Sequence, residues 1–186
     1  MHNPTNFYLF SLAVSDIIIL ILGLPMELHG VVGHAYPYEF GPFVCKLRAF
    51  LTEFTSYASV TVICAFSVER YFAICFPLRA KMFSTLRRAG IVILFSWILS
   101  FFAALPMAGI VEVNRLPLPA DYGNDTSEVS SDGIHIDNTE FCSMDFNRKD
   151  EQKRIIYTSA VFFFTIPAIV MTFMYGHIAY RLRTAD

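Results

Sequence analysis

The chain has 186 residues, 55% hydrophobic and only 16% charged, with a mean hydropathy of +0.49. A soluble domain carries about 25% charged residues, so the composition excludes a water-soluble globular fold, and its apolar richness excludes a disordered chain. The formal net charge of -2 offers no field for nucleic acid, and 19 Phe and 9 Tyr beside a single Trp suit a lipid solvent.

Met1 to Phe10 lacks the basic n-region of a signal peptide, so insertion is expected to rely on the first apolar span. A helix crosses a bilayer with about 20 largely apolar residues. The fold expected is therefore all-α: a transmembrane helical bundle forming one unit over 1–186, with spans at about 6–29, 43–76, 88–111 and 154–181. The core of the first span holds one charge, Asp16, and the second holds Glu53; the cores of the third and fourth hold none. The fourth contains Val161-Phe162-Phe163-Phe164-Thr165-Ile166, which would read as strand in water. At this length a helix is favoured, because it satisfies its own backbone hydrogen bonds in hydrocarbon.

The connections carry the orientation. The loop 77–88 holds Arg79, Lys81, Arg87 and Arg88 without an acid, and Arg181 and Arg183 follow the last span. The loop 112–153 is long, polar and net acidic. By the positive-inside rule the basic loop and both chain ends are cytoplasmic and 112–153 is extracellular. The sequon Asn124-Asp125-Thr126 in that loop agrees, with Asn124 a candidate glycosylation site.

Cys45 opens the second span on the outer side and Cys142 lies in the outer loop. Cys64 and Cys75 fall about 28 and 45 Å deeper along the helix, towards a reducing cytosol. A Cys45–Cys142 disulfide is thus the one plausible bridge, against the alternative of two free thiols, and it would pin the loop over the bundle.

A charge near mid-bilayer costs on the order of 3 kcal/mol, so each needs a reason. Asp16 and Glu27 are eleven residues apart, close to three turns, and project from one helix face. Glu53 lies about 12 Å inside the outer end of the second span. If the two helices are neighbours, Glu27 and Glu53 make an anionic mouth suited to a cationic ligand. At the inner end, Glu69-Arg70-Tyr71 places an acid and a base side by side. Pro25, Pro106 and Pro167 predict kinks within or near helical spans. There is no nucleophile–base pair, metal-ligand cluster or phosphate-cradling loop in the sequence, so an enzyme is not expected.

Leu12-Ala13-Val14-Ser15-Asp16, Cys45 followed by Glu69-Arg70-Tyr71, Trp97, and Pro167 with Tyr175 occur in an order and at spacings that resemble the rhodopsin-like G-protein-coupled receptors, from their helix 2 through helix 5. Pro4-Thr5-Asn6-Phe7-Tyr8-Leu9-Phe10 and Gly23-Leu24-Pro25-Met26-Glu27-Leu28 are similar to the neuromedin U receptor branch, near the insect pyrokinin and capability receptors. The resemblance implies a neuropeptide receptor at the plasma membrane that signals to a heterotrimeric G protein. Its ligand would be an amidated neuropeptide whose basic C-terminal end is held by Glu27 and Glu53.

The resemblance further implies a sodium pocket at Asp16 and Ser59, with no other cofactor. It implies G-protein coupling through Glu69, Arg70, Tyr71, Pro77 and Leu78, activation packing at Pro167 and Tyr175, and receptor dimerisation. Thr52 stands where amine receptors carry an aspartate, which disfavours an amine ligand. Tyr38 and Glu69 replace the more usual Trp and Asp. The alternative expectation is a truncated, non-signalling membrane protein that associates with full-length receptors. A small transporter is disfavoured, because no internal repeat is present.

Overall fold

The computed structural model describes residues 4–33, 37–77, 85–118, 129 and 134–184. Four of its helices are long and apolar enough to cross a membrane: α1 (Pro4–Val32), α2 (Gly41–Cys75), α3 (Leu86–Ile110) and α4 (Lys149–Arg183). Between α3 and α4, strands β1 (Val111–Asn114) and β2 (Phe141–Met144) pair antiparallel, with Val111 opposite Met144 and Val113 opposite Cys142. Two features fall inside the stretch expected to be an irregular loop: this hairpin, and the first turn of α4 at Lys149. Segments of four residues are too short to show strand periodicity. Lys149-Asp150-Glu151 reads as polar loop, yet its acids sit in a first helical turn, where they complement the helix dipole.

The helix ends carry local signals. Thr85, extended, caps α3 by accepting a hydrogen bond from the Arg88 amide at 3.4 Å. Gly41 opens α2 at a φ of 73°, a left-handed conformation that a side chain would strain, and Pro42 follows in the first turn. Arg181 and Arg183 close α4, where cations favour the carbonyl end.

Within the spans, hydroxyl groups are satisfied by their own helices. Thr55 donates to the Leu51 carbonyl, Thr61 to Tyr57, Ser67 to Ile63 and Ser100 to Ser96, each at 2.8 Å. This back-bonding lets polar side chains sit in a medium without water. It also leaves small surfaces where helices touch: Ala58, Ser67, Ser100 and Ala104 are buried.

α2 is the central element, packing against α1, α3 and α4, while α1 also meets α3. One apolar cluster joins Cys45, Met107, Ile110 and Val111 beneath the hairpin; a second joins Tyr8, Val62 and Ala89 near the other end. Polar bonds register the helices. The Trp97 indole donates to Ser11 Oγ at 2.8 Å, and Ser67 Oγ lies 3.0 Å from the Tyr175 hydroxyl. The outward faces are apolar, as at Phe10, Phe102 and Phe173, which hydrocarbon tolerates and water would not. The protein is a multi-pass membrane helical bundle.

Proline shapes two of the helices. α1 contains a π-turn at Ile19–Gly23 and α4 one at Val161–Thr165, and in each the proline, Pro25 or Pro167, comes two residues after the turn. A missing N–H is accommodated by such local widening. Pro106 lies within the uninterrupted helix α3.

Candidate functional site

The bundle has a hairpin end and an Arg70 end. At the hairpin end, Cys45 and Cys142 are joined by a disulfide with a Cα–Cα distance of 5.6 Å. It fastens β2 to the start of α2, and Cys45 is fully buried among Met107, Ile110 and Val111. Arg148, just before α4, donates at 2.8 Å to the Gly109 carbonyl at the end of α3 and pairs with Glu151. That pairing holds the exposed guanidinium above its ordinary pKa. An Arg115–Glu140 ion pair at 2.8 Å closes the hairpin further along. Beside the hairpin is an open pocket of about 690 Å³, lined among others by Tyr38, Lys46, Glu112 and Glu140 but not by Glu27 or Glu53.

Glu27, in the last turns of α1, accepts from Arg48 of α2: Nη1 to Oε1 is 2.9 Å, with the Glu27 side chain 58% exposed and that of Arg48 28%. The two helices therefore are neighbours at this depth, and the mouth holds a cation as well as acids. Near this pair the Tyr38 hydroxyl is buried without a hydrogen-bond partner among the described residues. Burial raises its pKa, the Arg48 charge opposing and the Glu27 charge adding to the shift.

Glu53 looks elsewhere. Five residues separate it from Arg48, so the two point about 140° apart around α2. Its charge acts on the Tyr57 hydroxyl one turn on, which bonds Ser159 Oγ of α4. The Tyr57 ring stacks on Phe163 in the π-turn, with centroids 3.9 Å apart and planes at 17°. Glu27 thus faces the α1–α2 side of the mouth and Glu53 the α2–α4 side.

Asp16 is exposed, Ser59 is half-buried, and no hydrogen bond joins them among the described residues. Neighbouring Ser15, by contrast, is buried and bonds back to the Ser11 carbonyl at 3.3 Å.

At the Arg70 end, the Arg70 guanidinium lies 3.5 Å from Glu69 and over the Phe66 ring at 5.2 Å, with its Nε buried and unpartnered among the described residues. Tyr8 of α1, itself buried, brings its hydroxyl within hydrogen-bonding reach of Glu69. Tyr71 packs against His177 of α4 at 5.6 Å between ring centroids, and Cys75 Sγ lies 3.7 Å from His177 Nδ1. Tyr175 reaches Ser67, Pro167 is half-buried and Pro77 exposed. Leu78 and Asn124 lie outside the described residues.

Among the residues of these sites that escape a reading of sequence are Arg48, Tyr57, Ser159 and Tyr8. Only Arg48 leaves a signal, as a cation within two turns of an acid in an apolar helix. The pairings of the others depend on which helix faces which.

A four-helix arrangement with a disulfide-tethered hairpin at one end and an acid–base pair at the other is that of a multi-pass membrane bundle. A profile of the family described as 7 transmembrane receptor (rhodopsin family) matches residues 1–186, and the chain belongs to that family. It is 57% identical over its whole length to neuromedin U receptor homolog nmur-2 of Caenorhabditis elegans, covering 47% of that protein. It is 35% identical over 98% of its length to neuromedin-U receptor 1 of Mus musculus, covering 40% of it. Over 58% of its length it is 44% identical to the pyrokinin-1 receptor of Drosophila melanogaster, covering 25% of that protein. The chain thus spans less than half the length of these relatives.

Proposed function

We propose that this segment belongs to a neuropeptide receptor of the neuromedin U branch. It binds the basic, amidated C-terminal end of a peptide at the hairpin end and couples to a heterotrimeric G protein at the Arg70 end. The reading rests on Glu27 and Glu53, two carboxylates set beneath a disulfide-pinned hairpin in a bundle 57% identical to a neuromedin U receptor homolog. An arginine suits them, because its planar fork bonds carboxylates with two parallel hydrogen bonds. In this reading the hairpin end is extracellular, the Arg70 end is cytoplasmic and the membrane is the plasma membrane. The basic residues Arg79, Lys81, Arg87 and Arg88, which follow α2 in the sequence, support that orientation.

At the Arg70 end, an adjacent Glu69–Arg70 pair at a membrane boundary is an element that two states can share. Tyr8 and Phe66 hold its resting arrangement, and release of Arg70 offers a cation to a partner on that side. Pro77 and Leu78 would add an apolar contact.

The test is peptide-evoked G-protein activation in the complete receptor. Glu27→Gln and Glu53→Gln should each lower potency by about tenfold to a hundredfold, since charge-assisted hydrogen bonds are worth roughly 1.5–3 kcal/mol. Arg70→Ala should abolish coupling while leaving peptide binding and surface expression intact. Unchanged potency in both acid variants, with coupling preserved in Arg70→Ala, contradicts the assignment.

A further inference from the structure

We infer that Arg48 is a specificity-determining residue, one that makes the Glu27 site select a guanidinium over an ammonium. This rests on the reading that Glu27 receives a ligand cation. Glu27 does not wait empty: Arg48 Nη1 holds its Oε1 at 2.9 Å. That single ion-pair contact leaves Oε2 free of any ion pair among the described residues, on a side chain 58% exposed. An incoming cation therefore competes with an incumbent that makes one contact of a possible two.

Denticity decides the contest. A ligand arginine places two parallel N–H donors on both carboxylate oxygens, a geometry the resident Arg48 does not reach here. A ligand lysine makes one contact from a compact, strongly hydrated ammonium. It must displace a guanidinium of equal denticity, or share the carboxylate with a like charge close by. The penalty falls on the wrong ligand more than the right one, which is how an element of repulsion produces selectivity. Because the Arg48–Glu27 pair is partly solvent-exposed, it is weak enough for the favoured ligand to open. Glu53 has no such incumbent, for Arg48 points about 140° away from it around α2.

The probes are a synthetic amidated peptide with a single Arg in its C-terminal end and its analogue with Lys in place of that Arg. Their affinities for the complete receptor are measured by competition binding, with surface expression read in parallel. Arg48→Gln should strengthen the Lys peptide by about tenfold and the Arg peptide by at most a fewfold, so the Arg/Lys affinity ratio falls. Arg48→Lys, which keeps the charge but loses the fork, should give an intermediate ratio and guards against a folding defect in the first variant. In a Glu27→Gln background, Arg48→Gln should leave the ratio unchanged. An unchanged ratio in the Arg48 variants overturns the inference while the role of Glu27 stands. Weaker binding of both peptides also overturns it, because Arg48 then supports the ligand rather than opposing it. Full affinity for the Arg peptide in Glu27→Gln alone overturns the underlying reading and this inference together.

Discussion

Single side chains in this bundle are governed by what an apolar medium allows. Most hydroxyls turn back onto their own helix, and the Trp97 indole finds Ser11 across the α1–α3 contact. Asp16 breaks the pattern. It is exposed in the middle of an apolar span and has no hydrogen-bond partner among the described residues. A carboxylate facing hydrocarbon costs on the order of 3 kcal/mol, so its face calls for a polar wall or a cation. Carboxylate and hydroxyl oxygens are the hard donors that a small cation takes, and we propose sodium at Asp16 with Ser59, as the resemblance to the receptor family implies. Peptide affinity of the complete receptor, titrated with sodium at constant ionic strength, should be sodium-sensitive with Asp16 and insensitive in Asp16→Asn. Equal sensitivity in both would remove Asp16 from the site.

The elements show how much the sequence could tell and where it stopped. Span length and charge sparsity suffice for four helices, because in lipid the backbone has few alternatives. The Cys45–Cys142 bridge was legible too, since depth along a helix separates the four cysteines into two that can meet outside and two that cannot. The hairpin was not legible: β1 and β2 have four residues each, and their pairing is held by tertiary ties. Among those ties, Asn114 Nδ2 donates to Ser143 Oγ at 2.8 Å, and Cys142 is fixed to α2. The disulfide closes a loop of 97 residues in sequence, a constraint worth as much as about 4–5 kcal/mol in the chain-entropy view. Cys142→Ser should therefore lower the thermal midpoint of the purified receptor in nanodiscs by several degrees and abolish high-affinity peptide binding. A variant with unchanged midpoint and affinity would mean that the hairpin holds its place without the tether.

At the scale of the molecule, α2 organises everything that carries a functional reading. It bears Arg48 and Glu53 near one end and Glu69, Arg70 and Tyr71 near the other, and along the way it bonds α4 through Tyr57–Ser159 and Ser67–Tyr175. Those two contacts join residues 102 and 108 positions apart, so no local pattern announces them; they follow only once helices are packed. The π-turn at Val161–Thr165 lies beside the first contact, its Phe163 stacked on Tyr57. A ligand that moves Glu53 therefore acts on a stacked pair seated in the least regular turn of α4. What the sequence did show, two acids near one end of neighbouring helices, takes one amendment: Glu27 is paired with Arg48 on the α1–α2 side while Glu53 faces the α2–α4 side, so that the mouth has two separate carboxylates rather than one acidic patch.

The claim that those carboxylates hold a peptide's arginine is tested most directly by a double-mutant cycle between Glu53 and that arginine, read as peptide affinity for the complete receptor. Glu53→Gln and replacement of the arginine by citrulline should each weaken binding by about tenfold to a hundredfold. Combined, they should weaken it little more than either alone, because one shared interaction can be lost only once. Losses that multiply in full would show that Glu53 does not contact the arginine.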